Sequence, residues 1–464
     1  AEPATIAAFL DAYATAIEAD AATLVALAHA ETALPAETRL DKVELPRTCG
    51  QLRQAARAVR EYSWTQPIID RVGGQRGHRA PLQKPVLIFG PNNFPFAFNA
   101  VAGSDFASAI AARNPVIVKA HPNHPATSER LAQLAHDALR QAGLPAATVQ
   151  MLYHLNHALG KRVAGDRRLG AIAFTGSRAG GLALKAAADA AGVLAYVELS
   201  SVNPVFVLPG ALAERGEALA QEFFASCTMG AGQFCTNPGV LVLPTGAAGD
   251  AFAEAATRFF AEAAPGILFA ESVQQQLQKS VAALQSVGAQ CLAGGQAAGP
   301  GFRFQPTLLS VDAATFLSQP DALQSEAFGP VSLLVRAGDT PTMVALARAF
   351  EGNLTGTLYS ATNGSDEDGF RAIAQALRPR VGRLISNRMP TGVTVSPAMN
   401  HGGPYPSTGH PGFTAVGLPA AILRFTALHC YDNVPDAQLP LELRDQNPAG
   451  VARQVDGVCR NDSL

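Results

Sequence analysis

Short apolar runs, each ending in a glycine, a proline or a polar turn and each followed by a helix-length segment, most limit what this chain of 464 residues can fold into. KPVLIFG (84–90), PVIVK (115–119), TVQML (148–152), LGAIAFTG (169–176) and LAYVEL (194–199) form one series. PVFVLPG (204–210), PGVLVLP (238–244), VSLLVRA (331–337), NLTGTLYSA and VGRLISN form a second. Strands that alternate with helices predict a parallel sheet with right-handed crossovers, and burial on both faces explains why the runs are apolar throughout. The fold class is therefore α/β, as two units in series with a seam near residues 199–205. Helices are predicted as a pair between Ala4 and Ala30 and over 50–62, 96–112, 128–142, 212–226 and 250–286. WTQPIIDRVGGQRGHRAPLQ (64–83) mixes Pro, Gly and basic residues, which suits an exposed hairpin or arm.

Composition removes several functions. Lys and Arg total 35 and Asp and Glu 37, a net charge of −2, so nothing electrostatic favours nucleic acid or an anionic membrane as partner. No apolar stretch reaches the ~18 residues of a membrane helix. The first twenty residues carry acids and no leading basic cluster, unlike a signal peptide, although the chain does not begin with Met. Six cysteines without a CxxC are too sparse for a disulfide scaffold, and a reduced, cytoplasmic protein with mostly buried thiols is expected.

Three residues stand where chemistry is possible. Cys235, in GAGQFCTNPG, lies on a loop where free backbone N–H groups can lower a thiol pKa and hold an oxyanion; a buried structural cysteine is the alternative. Glu198, in YVELSSVNP, ends an apolar strand, where a carboxylate can serve as a base or merely as a loop acid. Asn93, in FGPNNFPF, offers a side-chain amide to an oxyanion or simply forms the turn. FTGSRAGG (174–181) closes a strand and opens a helix, leaving room for a phosphate, and Lys119 is a lone cation at a strand end. The pairs His121/His124 and His154/His157 have no Cys or acid at ligand spacing, so no metal site is expected.

Taken together, FGPNNFPF, PVIVK, FTGS, VELSSVNP, GAGQFC and SEAFGP (325–330) resemble the aldehyde dehydrogenase superfamily, in the family's order, from about residue 10 to 440. Finer segments, among them KAHPNHPATSE, SVNPVFVLPGAL and NHGGPYPSTGH, resemble the branch with 2-oxoglutarate semialdehyde (2,5-dioxopentanoate) dehydrogenases and NADP-linked fatty-aldehyde dehydrogenases. The resemblance implies a Rossmann-like cofactor domain (1–62 and 84–203), a catalytic α/β domain (204–400), a β oligomerisation arm (63–83 and 430–464) and a return segment near the active site (401–429). It implies a homodimer or homotetramer acting on a small aldehyde.

By position, the resemblance makes Cys235 the nucleophile and Glu198 the base, with Asn93 and the Cys235 N–H as oxyanion donors. Lys119 would hold the adenosine ribose, Ser177 the pyrophosphate and Glu326 the nicotinamide ribose, with Phe328 beside the ring. Pro91, Asn92, His121, Pro122, Gly176, Gly181 and Leu199 complete the expected cofactor contacts. The chain departs from the family in three places. Ser200-Ser201-Val202 follows Leu199 where Gly-Gly-Lys is usual, Asn92 replaces a frequent Trp, and Pro122 stands where NAD-preferring members carry Glu. Without that carboxylate a 2′-phosphate is admissible, so NADP is expected ahead of NAD, with Lys119, His121, Lys161 and Arg162 as phosphate candidates. A dicarboxylic semialdehyde would need a cation, for which Arg383 and Arg388 are candidates. A fatty aldehyde would need an apolar tunnel, from Phe96, Phe98, Phe224 and Phe234. Acyl transfer to coenzyme A and a silent nucleotide-binding protein are further alternatives; the presence of Glu198 favours hydrolysis over the first, and Asn93, Glu198 and Cys235 together argue against the second.

Overall fold

The computed structural model describes residues 1–464. The chain forms two compact units, one of residues 1–197, 395–399 and 413–464, the other of residues 198–394 and 400–412.

In the first unit, five strands run in the order Val149–Leu152, Val116–Lys119, Val86–Phe89, Ala171–Thr175, Leu194–Glu198. The ladders on both sides of Val86–Phe89 are parallel, with Val86 opposite Val116 and Ala171. All four residues of that central strand are buried, as its apolar run requires. The predicted helix over 96–112 is confined to Ser104–Ala111. Residues before it form a compact turn in which a Cβ on Gly103 would lie 2.6 Å from the Phe98 backbone, so the chain turns sharply there. Residues 36–44, which the sequence left without an element, form a wide π-type turn leading into Leu45–Arg60. The expected arm is a separate sheet, ordered Thr426–Asp432, Gln75–Pro81, Ile68–Asp70, Arg453–Val455, Val458–Arg460. Within it, Ile68–Asp70 and Gln75–Pro81 are antiparallel neighbours, as a hairpin should be.

The second unit is built on seven strands ordered Gln290–Ala293, Thr307–Asp312, Val331–Ala337, Val240–Pro244, Val205–Val207, Asn353–Tyr359, Val381–Ser386. Only the edge strand Gln290–Ala293 pairs antiparallel. Helices Glu271–Ser286 and Thr340–Ala349 pack on one face through Leu277, Val281, Leu284, Met343 and Leu346, and Pro209–Thr228 and Ala247–Glu262 contribute the core on the other. In each unit the candidate segments lie mainly at the ends of strands. In the first, the candidate segments at 90–93, 119–122 and 176–177 follow the carboxyl ends of strands. In the second, 199–203, 235–237, 326–328 and 383 stand at or before the starts of strands.

The expectation of mostly buried thiols needs correction. Cys49 and Cys227 are buried and Cys235 half-buried, but Cys291, Cys430 and Cys459 are exposed. Cys430 lies on an arm strand whose alternating side chains turn every second residue to solvent, and Cys459 lies on the short strand Val458–Arg460, where Val458 is exposed as well.

Candidate active site

Cys235 sits on a loop held from several sides within the second unit. Gly230, Ala231 and Gly232 run through three successive left-handed conformations, with φ of 55°, 55° and 67°. A Cβ on Gly232 would lie 2.1 Å from the Gly329 carbonyl, so the Cys235 loop and the SEAFGP loop are packed backbone to backbone. Gln233 donates to the carbonyls of Gly230 (3.2 Å) and Ile267 (3.1 Å) and accepts from the Phe269 N–H (3.0 Å).

The segment after Glu198 secures the same loop. Asn203 donates from its amide to the carbonyls of Cys235 and Asn237, both at 2.9 Å. The Asn353 side-chain oxygen accepts from the N–H groups of Val202 (2.8 Å) and Asn203 (3.1 Å), and Ser201 Oγ lies 2.9 Å from Asn203 Oδ1. The departure Ser200-Ser201 therefore supplies a hydroxyl to the network that fixes the Cys235 carbonyl.

Glu198 is 2 % exposed and is anchored by a bridge to Thr408 and a bond from the Leu199 N–H to the Ser407 carbonyl at 2.8 Å. That pairing brings in a residue the sequence reading did not single out. His401 Nε2 lies 3.5 Å from Cys235 Sγ and 3.0 Å from Glu198 Oε1, and the donor atoms of the three side chains lie within 4.8 Å of one another. The approach to Glu198 is close but not aligned, since neither carboxylate oxygen takes a hydrogen bond of good geometry. The signal was in NHGGPYP, read only as a branch signature. A Cβ on Gly382 would lie 1.9 Å from the Gly402 carbonyl, and one on Gly403 2.4 Å from that of Asn353. The glycines let this segment lie flat on the strand starts, which carries His401 to the thiol.

Arg383, in strand Val381–Ser386, is the other charged group that acts on the sulfur. Burial, and then the like charge of Arg388, pull its pKa down, while Cys235 opposes that shift. Its guanidinium donates to the carbonyls of Pro390 (3.3 Å) and Gly392 (3.2 Å). The neighbouring thiol of Cys227 is sealed in the core, and burial pushes it up to about 12, which leaves it inert at neutral pH. Glu326 and Phe328 line one cavity with Ser201, Gly232, Phe234 and Asn237. The Glu326, Cys235 and Glu198 segments thus share one edge of this unit.

In the first unit, Asn93 is buried, and its carbonyl accepts from Arg39 at 3.1 Å. Arg39 pairs with Glu44 at 3.0 Å, and the other Glu44 oxygen accepts from the Phe96 N–H at 3.1 Å. Burial raises the Glu44 carboxyl, which Arg39 partly offsets. The unforeseen 36–44 turn is thus what shapes the PNNFP loop. Pro91 is buried and Asn92 half-buried. The Pro91 carbonyl lies 3.1 Å from His124 Nε2, which joins this loop to the turn after Lys119. Burial lowers the Lys119 pKa, and burial with His124 and Lys119 as neighbours pushes His121 down to about 2. His121 is thus neutral by itself, and Pro122, Lys161 and Arg162 are exposed. Ser177 caps the helix Arg178–Ala191, its Oγ accepting from the Gly180 N–H at 3.3 Å. A Cβ on Gly176 would lie 2.8 Å from the Phe174 ring, and Gly181 is buried.

Residues 1–426 match the Aldehyde dehydrogenase family. The chain belongs to that family. It is 39 % identical over 97 % of its length, and 87 % of the relative's, to "Alpha-ketoglutaric semialdehyde dehydrogenase 2" of Azospirillum brasilense. It is 37 % identical over 97 % of its length, and 86 % of the relative's, to "Alpha-ketoglutaric semialdehyde dehydrogenase" of Acinetobacter baylyi. Among solved structures, glyceraldehyde-3-phosphate dehydrogenase of Methanocaldococcus jannaschii in complex with NADP superposes with a TM-score of 0.77 at 21 % identity, over 92 % of this chain and 89 % of that one. This aldehyde dehydrogenase is an NAD(P)-dependent enzyme, and the fold class read from the strand–helix rhythm is that of its structural relatives. No helix is long and apolar enough to cross a membrane.

Proposed function

We propose that this aldehyde dehydrogenase oxidises a semialdehyde that carries a distant carboxylate, 2-oxoglutarate semialdehyde before others, with NADP ahead of NAD. The observation that carries the reading is Arg383. A half-buried guanidinium crowded by Arg388 and electrostatically coupled to Cys235 would gain from a substrate carboxylate beside it. The names of the two relatives point the same way. An apolar tunnel has less support. Phe224 packs edge-on to Phe260 at 5.3 Å, Phe98 packs on Phe94 at 5.1 Å and Phe96 is fully buried, so core packing accounts for these rings.

Cys235 is the nucleophile in this reading. Its thiolate adds to the aldehyde carbon while the carbonyl electron pair moves to oxygen. The Asn93 amide and the Cys235 N–H receive that oxyanion, each such donor contributing about 3–4 kcal/mol. The bound nicotinamide supplies the hydride acceptor. The thioester left on Sγ is opened by water, from which Glu198 takes a proton. The chain fits a dinucleotide at the 174–181 turn. Gly176 has no room for a side chain and Ser177 caps a long helix, an arrangement suited to a pyrophosphate. Lys119 and His121 would face a ribose phosphate, and Glu326 and Phe328 would hold the nicotinamide end. A homodimer or homotetramer in the cytoplasm completes the proposal.

Initial rates with 2,5-dioxopentanoate and with a medium-chain aldehyde, each with NADP and NAD, test it. The semialdehyde should be preferred, and Arg383→Met should lower kcat/KM for it at least about tenfold more than for the uncharged aldehyde. Equal loss with both aldehydes, or preference for the medium-chain one, would overturn the substrate assignment.

A further inference from the structure

We propose that His401 takes the proton of Cys235 and thereby arms the thiol, a role that rests on Cys235 being the nucleophile as proposed above. A single atom, Nε2, faces both the sulfur at 3.5 Å and the Glu198 carboxylate at 3.0 Å. A neutral imidazole with its lone pair on Nε2 accepts the thiol proton. Once protonated, Nε2–H donates to the thiolate or to Glu198.

Charge gives the arrangement its reason. A carboxylate this close to the sulfur disfavours a thiolate, because like charges repel at short range. Glu198 must also stay unprotonated to activate water later, so it is a poor depot for the thiol's proton. An imidazolium between the two offsets the repulsion and leaves the carboxylate free. Arg383 adds a positive field at the sulfur, with Arg388 behind it. His401 is 1 % exposed and is held by a segment whose glycines pack on strand backbones, so Nε2 has little freedom to leave.

The step balances. The S–H bond breaks, the N–H bond forms at Nε2, and the sulfur keeps the electron pair that attacks the carbonyl carbon. When water opens the thioester, the departing thiolate recovers the same proton from Nε2.

The test is the pH dependence of Cys235 alkylation by iodoacetamide, followed by peptide mass, which needs no aldehyde and no cofactor. In the wild-type enzyme the inflection should lie well below the ~8.5 of a free thiol. His401→Asn should move it up, slowing alkylation at pH 6.5 at least about tenfold while the two rates converge above about pH 9. A wild-type inflection near 8.5, or the same inflection in wild type and a folded His401→Asn, would overturn the proposal. If His401→Asn does not fold, His401→Gln and the wild-type profile decide. Cys235→Ala separates the readings. Full turnover in that variant defeats the nucleophile assignment, whereas an unshifted profile with inactive Cys235→Ala defeats only the role of His401.

Discussion

Asn203 holds a left-handed backbone, φ 49°, and from it one amide reaches the carbonyls of Cys235 and Asn237. Asn is among the few side chains that accept this conformation and also offer two donors. Asn203→Ala should strain the turn and leave two carbonyls without their donor. We expect a loss of about 2 kcal/mol in stability by denaturant melt, with a fall in kcat larger than the change in KM. A variant as stable and as fast as the wild type would detach Asn203 from the Cys235 loop. At this scale Cys235 and Glu198 could be proposed from the chain because one lies in a Gly-rich loop before an apolar strand and the other ends one. His401 could not, since it lies 166 positions from Cys235 and only the folding of a Gly-Gly segment brings them together. Arg39 and Glu44 were hidden for the same reason, acting on the Asn93 loop through a turn with no periodic pattern.

Among the elements, the strand starts of the second unit depend on glycines that admit a neighbouring backbone. Gly382→Ala would set a methyl 1.9 Å from the Gly402 carbonyl. The segment must move, so we expect lower kcat, slower alkylation of Cys235 and a lower melting temperature. Unchanged values in all three would show that the segment has slack. In the first unit, His121 falls from an ordinary 6.5 to about 2 in the folded chain through burial, His124 and Lys119. The unfolded chain therefore binds a proton below pH 6.5 that the folded chain refuses. Stability from this group is present above 6.5 and lost toward acid, at up to about 1.4 kcal/mol per pH unit. Unfolding midpoints at pH 7.5 and 5.0 should differ less in His121→Asn than in the wild type. The strands themselves were legible, because an apolar run buried on both faces leaves little choice. The predicted helix over 96–112 was too long, because Gly103 and its neighbours turn the chain against itself before helical spacing begins at Ser104.

For the molecule as a whole, a histidine of the arm sheet meets a carboxylate sealed from water. His78 Nδ1 lies 2.9 Å from Glu442 Oε1, and both side chains are 3 % exposed. Burial raises the Glu442 carboxyl, but His78, a backbone N–H and Arg113 together outweigh it and leave the pKa below the usual 4.5. The stability it gives is present above that value and fades as pH falls through the lowered one. Glu442→Gln should cost about 1–2 kcal/mol at pH 7, measured by thermal unfolding, because the buried imidazole loses its carboxylate acceptor. If the arm also joins subunits, light scattering should show the variant dissociating at a higher protein concentration than the wild type. The pair could not be foreseen from spacing, since arm strands from both ends of the chain must first come together.

The most direct test is a single turnover of Glu198→Gln with 2,5-dioxopentanoate and NADP, followed by mass analysis of the peptides. The account predicts one equivalent of reduced cofactor and an acyl mass on the peptide that holds Cys235, persisting because no base activates water. Steady turnover without an adduct, or an acyl group on another residue, would contradict it.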